Sequence, residues 1–105
     1  NTYGNDETFQ KYLSSMLDAI NLMEQDFPGM DNSFRWKRAW LYTFGALHYL
    51  RRGKYFEFRN FIELACAETS FISKKQAIVY RLRRWPKRAE QVLEVLFYLK
   101  RFFAD

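Results

Sequence analysis

Ala46-Leu47-His48-Tyr49-Leu50-Arg51-Arg52-Gly53-Lys54-Tyr55 is the stretch on which the fold turns. Upstream of it, Phe34, Trp36, Trp40, Leu41, Phe44, Leu47 and Leu50 recur at helical spacing. Downstream, Phe58, Phe61, Ile62 and Ala65 do the same. A single glycine separates the two patterns. Gly53 follows Arg51 and Arg52, cations that suit the last turn of a helix, and so reads as a C-terminal helix glycine. The two helices are therefore expected to form a tight hairpin of antiparallel arms. The first arm starts near Asn32 or Ser33, either of which can cap it. It is apolar on more than one face, which predicts the central helix, with the stripe Trp36, Trp40 and Phe44 in the core.

Working outward, Phe9, Tyr12, Leu13, Met16, Leu17, Ile20 and Met23 form one apolar stripe over residues 6–25. Asn5 or Asp6 can cap that helix, and Phe27-Pro28-Gly29-Met30 stops it. A fourth helix is expected over about residues 73–84, with Ala77, Ile78, Tyr80 and Leu82 as its apolar positions. Trp85-Pro86 breaks it, because the residue before proline avoids the helical region. Pro86 then opens a fifth helix running to about Phe103 on the stripe Ala89, Val92, Leu93, Leu96, Leu99 and Phe103. The expected fold is all-α: one domain, a compact bundle of about five antiparallel helices with short connections.

Composition agrees. In 105 residues there are eleven Phe, seven Tyr and three Trp, and hydrophobic residues make up 49%. That excludes a disordered chain and implies a core or groove of large planar side chains. The lone Cys66 excludes an internal disulfide framework and makes a reducing, cytoplasmic compartment the expectation. It lies in the apolar run Leu64-Ala65-Cys66-Ala67, where packing is expected. No run approaches the ~20 apolar residues that span a bilayer. The chain begins at Asn1 and not at Met, so it is expected to be a fragment of a longer protein.

Charge is distributed unevenly. Residues 1–33 hold six acids against Lys11, whereas residues 34–105 hold sixteen Lys and Arg against six acids. This points either to an anionic partner or to self-complementary halves. The candidate anion-binding or partner-binding residues are Lys74, Lys75, Arg81, Arg83, Arg84, Lys87 and Arg88, around the Trp85-Pro86 break. A second group is Arg35, Lys37 and Arg38 with Arg51, Arg52 and Lys54. Arginine forks bind phosphate in a bidentate manner, and aromatic rings beside them can stack on bases. A solvated helix face that balances the acidic first helix is the competing account.

Catalytic constellations are not expected. By helical spacing, the neighbours of His48 are Phe44, Gly45, Arg51 and Arg52, with no acid or thiol for a triad or metal set. It reads as a packed or surface histidine. Glu90 and Glu94 lie one turn apart beside Lys87, Arg88 and Arg101 and read as an ion-paired face. There is no glycine loop for phosphate. No cofactor and no metal are expected.

Two resemblances follow from these motifs. Tyr42, Gly45-Ala46, Tyr49, Gly53, Tyr55 and Ala65 stand at the spacings of one tetratricopeptide repeat, which it resembles over about a quarter of the chain. It departs from that pattern at Gly45, where leucine is usual, at Phe58, where alanine is usual, and at Ser70, where the closing proline is common. Phe58 should push the two helices apart or fill a gap from a neighbour. A looser resemblance spans more of the chain. Arg35-Trp36-Lys37-Arg38-Ala39-Trp40 and then Tyr49-Leu50-Arg51-Arg52-Gly53-Lys54-Tyr55, followed by a basic and an apolar-basic helix, look like the helical tail of bacterial family-two glycosyltransferases. That resemblance implies an accessory, non-catalytic interaction module. It would dock the parent catalytic domain, a partner protein or an anionic membrane surface at the inner face of the membrane. The paired aspartates of that family's catalytic domain are not in this sequence. The alternative function is a basic helical nucleic-acid-binding domain using Arg81, Arg83, Arg84, Lys87 and Arg88. Oligomeric state stays open at this point.

Overall fold

The structure, a computed structural model, describes residues 6–69 and 74–103, without the side chains of Lys75 and of residues 100–103. It is all-α, with no strand among the described residues. The helices are α1 (Asp6–Asp26), α2 (Asp31–Arg51), α3 (Tyr55–Glu68), α4 (Lys74–Arg81) and α5 (Pro86–Phe103). Asn5, Ser70 and Ser73 lie outside the described residues, as do the side chains of Arg101 and Phe103.

The hairpin forms where the glycine predicts it. Gly53 adopts φ +74°, a left-handed conformation that a side chain resists. Lys54 N–H donates to Tyr49 O at 2.9 Å and Gly53 N–H to Leu50 O at 3.1 Å. This pair of bonds closes the last carbonyls of α2 and reverses the chain into α3. Phe58 is fully buried, so the bulky residue fills the space between helices. It joins Phe9, Leu13, Tyr49, Leu50, Ile62, Val79, Ala89 and Leu93 in one core drawn from all five helices. Each large side chain buried there contributes about 1.5–3 kcal/mol.

α2 is the central helix, and the way it packs corrects one expectation. Its buried residues are Phe34, Ala39, Thr43, Gly45, Ala46, Tyr49 and Leu50. Trp36, Trp40 and Phe44, expected in the core, are 49%, 45% and 44% exposed. Ala39, Thr43, Gly45 and Ala46 face the neighbouring helices together with Phe34, Tyr49 and Leu50, while the rings of Trp36, Trp40 and Phe44 remain exposed. Helices approach most closely where side chains are short, and Gly45 lies against Leu13 of α1 and Phe61 of α3. The rings occupy the arc of α2 that no neighbour covers. On α1, likewise, Phe9, Leu13 and Ile20 are buried, while Tyr12, Met16 and Met23 stay exposed.

Local starts and stops also differ from expectation. α2 begins one residue before Asn32. The Met30 carbonyl accepts from Ser33 N–H and Phe34 N–H, and no side chain caps it. Asn32 and Ser33 thus lie inside its first turn. α4 ends at Arg81 rather than near Arg84. Its last turn tightens, with Trp85 N–H donating to Leu82 O at 2.8 Å. This is how the chain meets the constraint that Pro86 imposes on Trp85. The buried residues of α4 are Val79 and Gln76; Ala77, Ile78 and Tyr80, expected as its apolar face, are only partly covered. Gln76 Nε2 donates to Thr43 Oγ1 at 3.2 Å, which ties α4 to α2 through a buried polar pair.

Candidate functional site

Three surfaces gather the candidate residues. The first is apolar. At about 100° per residue, Tyr12, Met16 and Met23 lie on one side of the buried line of α1, and Leu17 and Glu24 on the other. Glu24 Oε1 accepts from Arg38 Nη1 at 3.0 Å, and Arg38 Nε also pairs with Glu68 of α3 at 3.2 Å. That fixes the second side as the one toward α3. On the first side, Phe9 meets Phe44 at 5.6 Å between ring centroids. Trp36 and Trp40 stack edge to face at 5.8 Å. Tyr12, Met16 and Met23 on α1 and Trp36, Trp40 and Phe44 on α2 are thus exposed apolar side chains, and the Phe9–Phe44 contact joins the two sets.

The second surface is a charged cluster at the start of α1. Asp6 is the first residue of α1, and its carboxylate reaches across to α2 and the turn that follows it. Its carboxylate accepts from Lys54 Nζ, lies 2.8 Å from Arg52 Nε and stands 3.5 Å from His48 Nε2. The bond to Lys54 does most to hold its carboxyl below the usual carboxylate range, burial opposes the shift, and Arg52 adds to it. His48, expected to have no acid near it, thus faces one brought from 42 positions away in the chain. Its ring stacks on Phe9 at 3.7 Å, and burial pushes its pKa down. The two cations beside Asp6 occupy the carboxylate, and among the described residues no hydroxyl or thiol is bonded to His48 Nε2 to complete a triad. Among the described residues, no group of three or more His, Cys, Asp or Glu is placed to hold a metal. Cys66 is half-buried, and burial raises its thiol pKa.

The third surface is the corner between α4 and α5. The structure divides the seven predicted basic residues. Arg83 turns inward: its guanidinium lies 4.0 Å from the Tyr80 ring centroid, donates to Tyr80 O at 2.8 Å and pairs with Glu63 at 3.5 Å. Lys74 and Arg81 are exposed on α4, and Arg84, Lys87 and Arg88 are exposed at the corner. The side chain of Lys75 lies outside the described residues. Glu90 accepts from Tyr55 Oη at 3.3 Å; neither it nor Glu94 pairs with Lys87 or Arg88 among the described residues. In the second predicted group, Arg35, Arg38, Arg52 and Lys54 are engaged with Glu68, Glu24 and Asp6. Lys37 lies over the Phe34 ring, 5.4 Å from its centroid.

The exposure of Trp36, Trp40 and Phe44 is not legible from helical spacing, which marks α2 as apolar on more than one face and so predicts these rings in the core. The signal available was Gly45-Ala46, small residues on the other side of the same helix. Among the described residues, no helix is long and apolar enough to cross a membrane. In comparisons with known proteins, no family model, no curated protein and no solved structure matches the chain.

Proposed function

We propose that this chain is a non-catalytic helical interaction module that docks a folded protein through the exposed side chains Tyr12, Met16 and Met23 of α1 and Trp36, Trp40 and Phe44 of α2. The observation that carries this function is the exposure of two tryptophans side by side on a helix whose core is already filled. Trp, Tyr, Phe and Met are the side chains that anchor protein interfaces, since each offers a large contact area. Left in water, such a surface is unfavourable; covered by a partner it becomes the centre of an interface.

The family resemblance names the partner: the catalytic domain of a family-two glycosyltransferase, with this chain as its helical tail. The left-handed Gly53 and the buried Ala46, Tyr49 and Ala65 support a tetratricopeptide-like α2–α3 hairpin. A nucleotide-sugar domain with paired aspartates, encoded upstream, is the expectation. The test compares hydrogen–deuterium exchange of α1 and α2 in the chain alone and joined to its upstream coding sequence. Slower exchange in the joined protein, reversed by Trp36→Ser with Trp40→Ser, supports docking. Unchanged exchange overturns it, and so does nucleotide-sugar turnover by the chain alone.

A further inference from the structure

We propose that the corner between α4 and α5 binds single-stranded nucleic acid, with Trp85 stacking on a base while Arg84, Lys87 and Arg88 neutralise the adjoining phosphates. This site is separate from the exposed apolar side chains of α1 and α2 and does not depend on the docking function.

The corner is held rigidly. Trp85 N–H donates to Leu82 O at 2.8 Å, and Trp85 O accepts from Ala89 N–H at 3.0 Å. Ala89 is fully buried and anchors the first turn of α5 to the core. With its backbone fixed on both sides, Trp85 nevertheless leaves 56% of its surface exposed. Beside it is a shallow depression of about 400 Å³ lined by Tyr55, Arg84, Trp85, Pro86, Lys87 and Arg88. The Trp85, Pro86 and Tyr55 rings line it together with the side chains of Arg84, Lys87 and Arg88.

Two features select the ligand. First, the lining cations are uncommitted. None of Arg84, Lys87 and Arg88 forms an ion pair among the described residues, whereas the neighbouring Arg83 is spent on Glu63 and Tyr80. A helix face that merely balanced charge would pair its cations as Arg35, Arg38 and Arg52 are paired. Second, a flat indole stands among those cations, at a concave point. A base offers a π-face to the indole, and its own backbone brings phosphates to the cations. Bases stacked inside a duplex cannot reach Trp85, so the corner favours single strands. Anionic bilayers also attract cations beside tryptophan, so a vesicle arm belongs in the test.

The experiment titrates the 105-residue chain against a fluorescein-labelled oligothymidylate and against a duplex of equal length, by anisotropy over a range of salt. Tighter binding of the single strand is expected. The logarithm of affinity should fall with the logarithm of salt at a slope of about −2, because three phosphates are neutralised at ~0.7 each. Trp85→Ala should weaken binding about tenfold to a hundredfold, and Trp85→Phe should recover part of that loss. Arg84→Glu with Arg88→Glu should abolish binding. Circular dichroism checks that each variant is folded. Equal affinity for duplex and single strand overturns the proposal, as does indifference to Trp85→Ala. Binding to phosphatidylserine vesicles without binding to oligothymidylate also overturns it, and assigns the corner to a lipid surface.

Discussion

Gly45 lies in close contact with both α1 and α3, and Gly45→Leu tests that packing directly. A Cβ at this position would lie 3.3 Å from Leu13 Cδ2 and 3.4 Å from Phe61 Cδ1. Carbon atoms in comfortable contact stand about 3.5–4.0 Å apart. Gly45→Ala therefore asks each neighbour to yield by a few tenths of an ångström. It also regains about 0.5–1 kcal/mol of helix propensity. The two effects are similar in size, so the alanine variant should stay within about 1 kcal/mol of the parent. Leucine adds three more carbons with no space to receive them. Overpacking of that kind costs about 1–3 kcal/mol, and here it presses on two helices at once. The melting temperature should fall by about 4–8 °C for each kcal/mol lost. Thermal and urea unfolding, followed by far-UV circular dichroism, measure the loss. Leu13→Ala supplies the internal control. Alone, it should cost about 2–5 kcal/mol by opening a cavity. Combined with Gly45→Leu, that cavity receives the new side chain, and the double variant should be more stable than additivity predicts by about 1 kcal/mol or more. A leucine variant as stable as the parent, or strict additivity in the pair, would refute the close three-helix contact.

Three further outcomes follow from the same geometry. Gly53→Ala should destabilise by about 1–2 kcal/mol in urea unfolding, because φ +74° places a Cβ in the left-handed region. Arg38→Ala should cost about 1–3 kcal/mol, since it strands Glu24 and Glu68 at a partly buried site that bridges α1, α2 and α3; an unchanged urea midpoint would count against that bridge. Stability should fall on acidification. His48 has a folded-state pKa below its ordinary value of about 6.5, so the unfolded chain holds more protons between the two values, and stability is lost as the pH drops into that window. Asp6, whose pKa is also lowered, contributes stability above its unfolded value that is lost as the pH falls through the folded one. The urea midpoint should therefore drop from about pH 7.5 to 5.5, and His48→Gln should flatten that slope. An identical slope in the variant would remove His48 from the account.

The helices and their order were legible in the sequence because each is written locally. Spacing of apolar residues sets the helical stretches, Gly53 and Gly29 mark reversals, and Pro86 starts α5. Phe58 stood out in the sequence as a bulky residue that would either part the helices or fill a gap, and its complete burial shows that it is packed between them. The departures arise where local and distant terms compete. The start of α2 was misread because Met30 offers a backbone carbonyl, and no side chain is needed to begin the helix. The fourth helix was overextended because the proline constraint acts a full turn upstream, through the i−3 bonds that bring the chain to Trp85.

The candidate sites divide along the same line. Which residues carry charge, where the break at Trp85-Pro86 falls and that Arg84, Lys87 and Arg88 surround it are properties of the chain order alone. Spacing along one helix does not tell which side of it a neighbour will cover. Trp36, Trp40 and Phe44 are as apolar as a core stripe, yet small residues on the other side of α2 allow α1 and α3 to come closer there, and the rings are left in water. Nor does spacing reveal that Asp6 meets His48, Arg52 and Lys54, or that Arg83 is held by Glu63 while Arg84 is not. Those contacts join residues on different helices, and only the packing of those helices determines which charges are neutralised and which remain available to a partner.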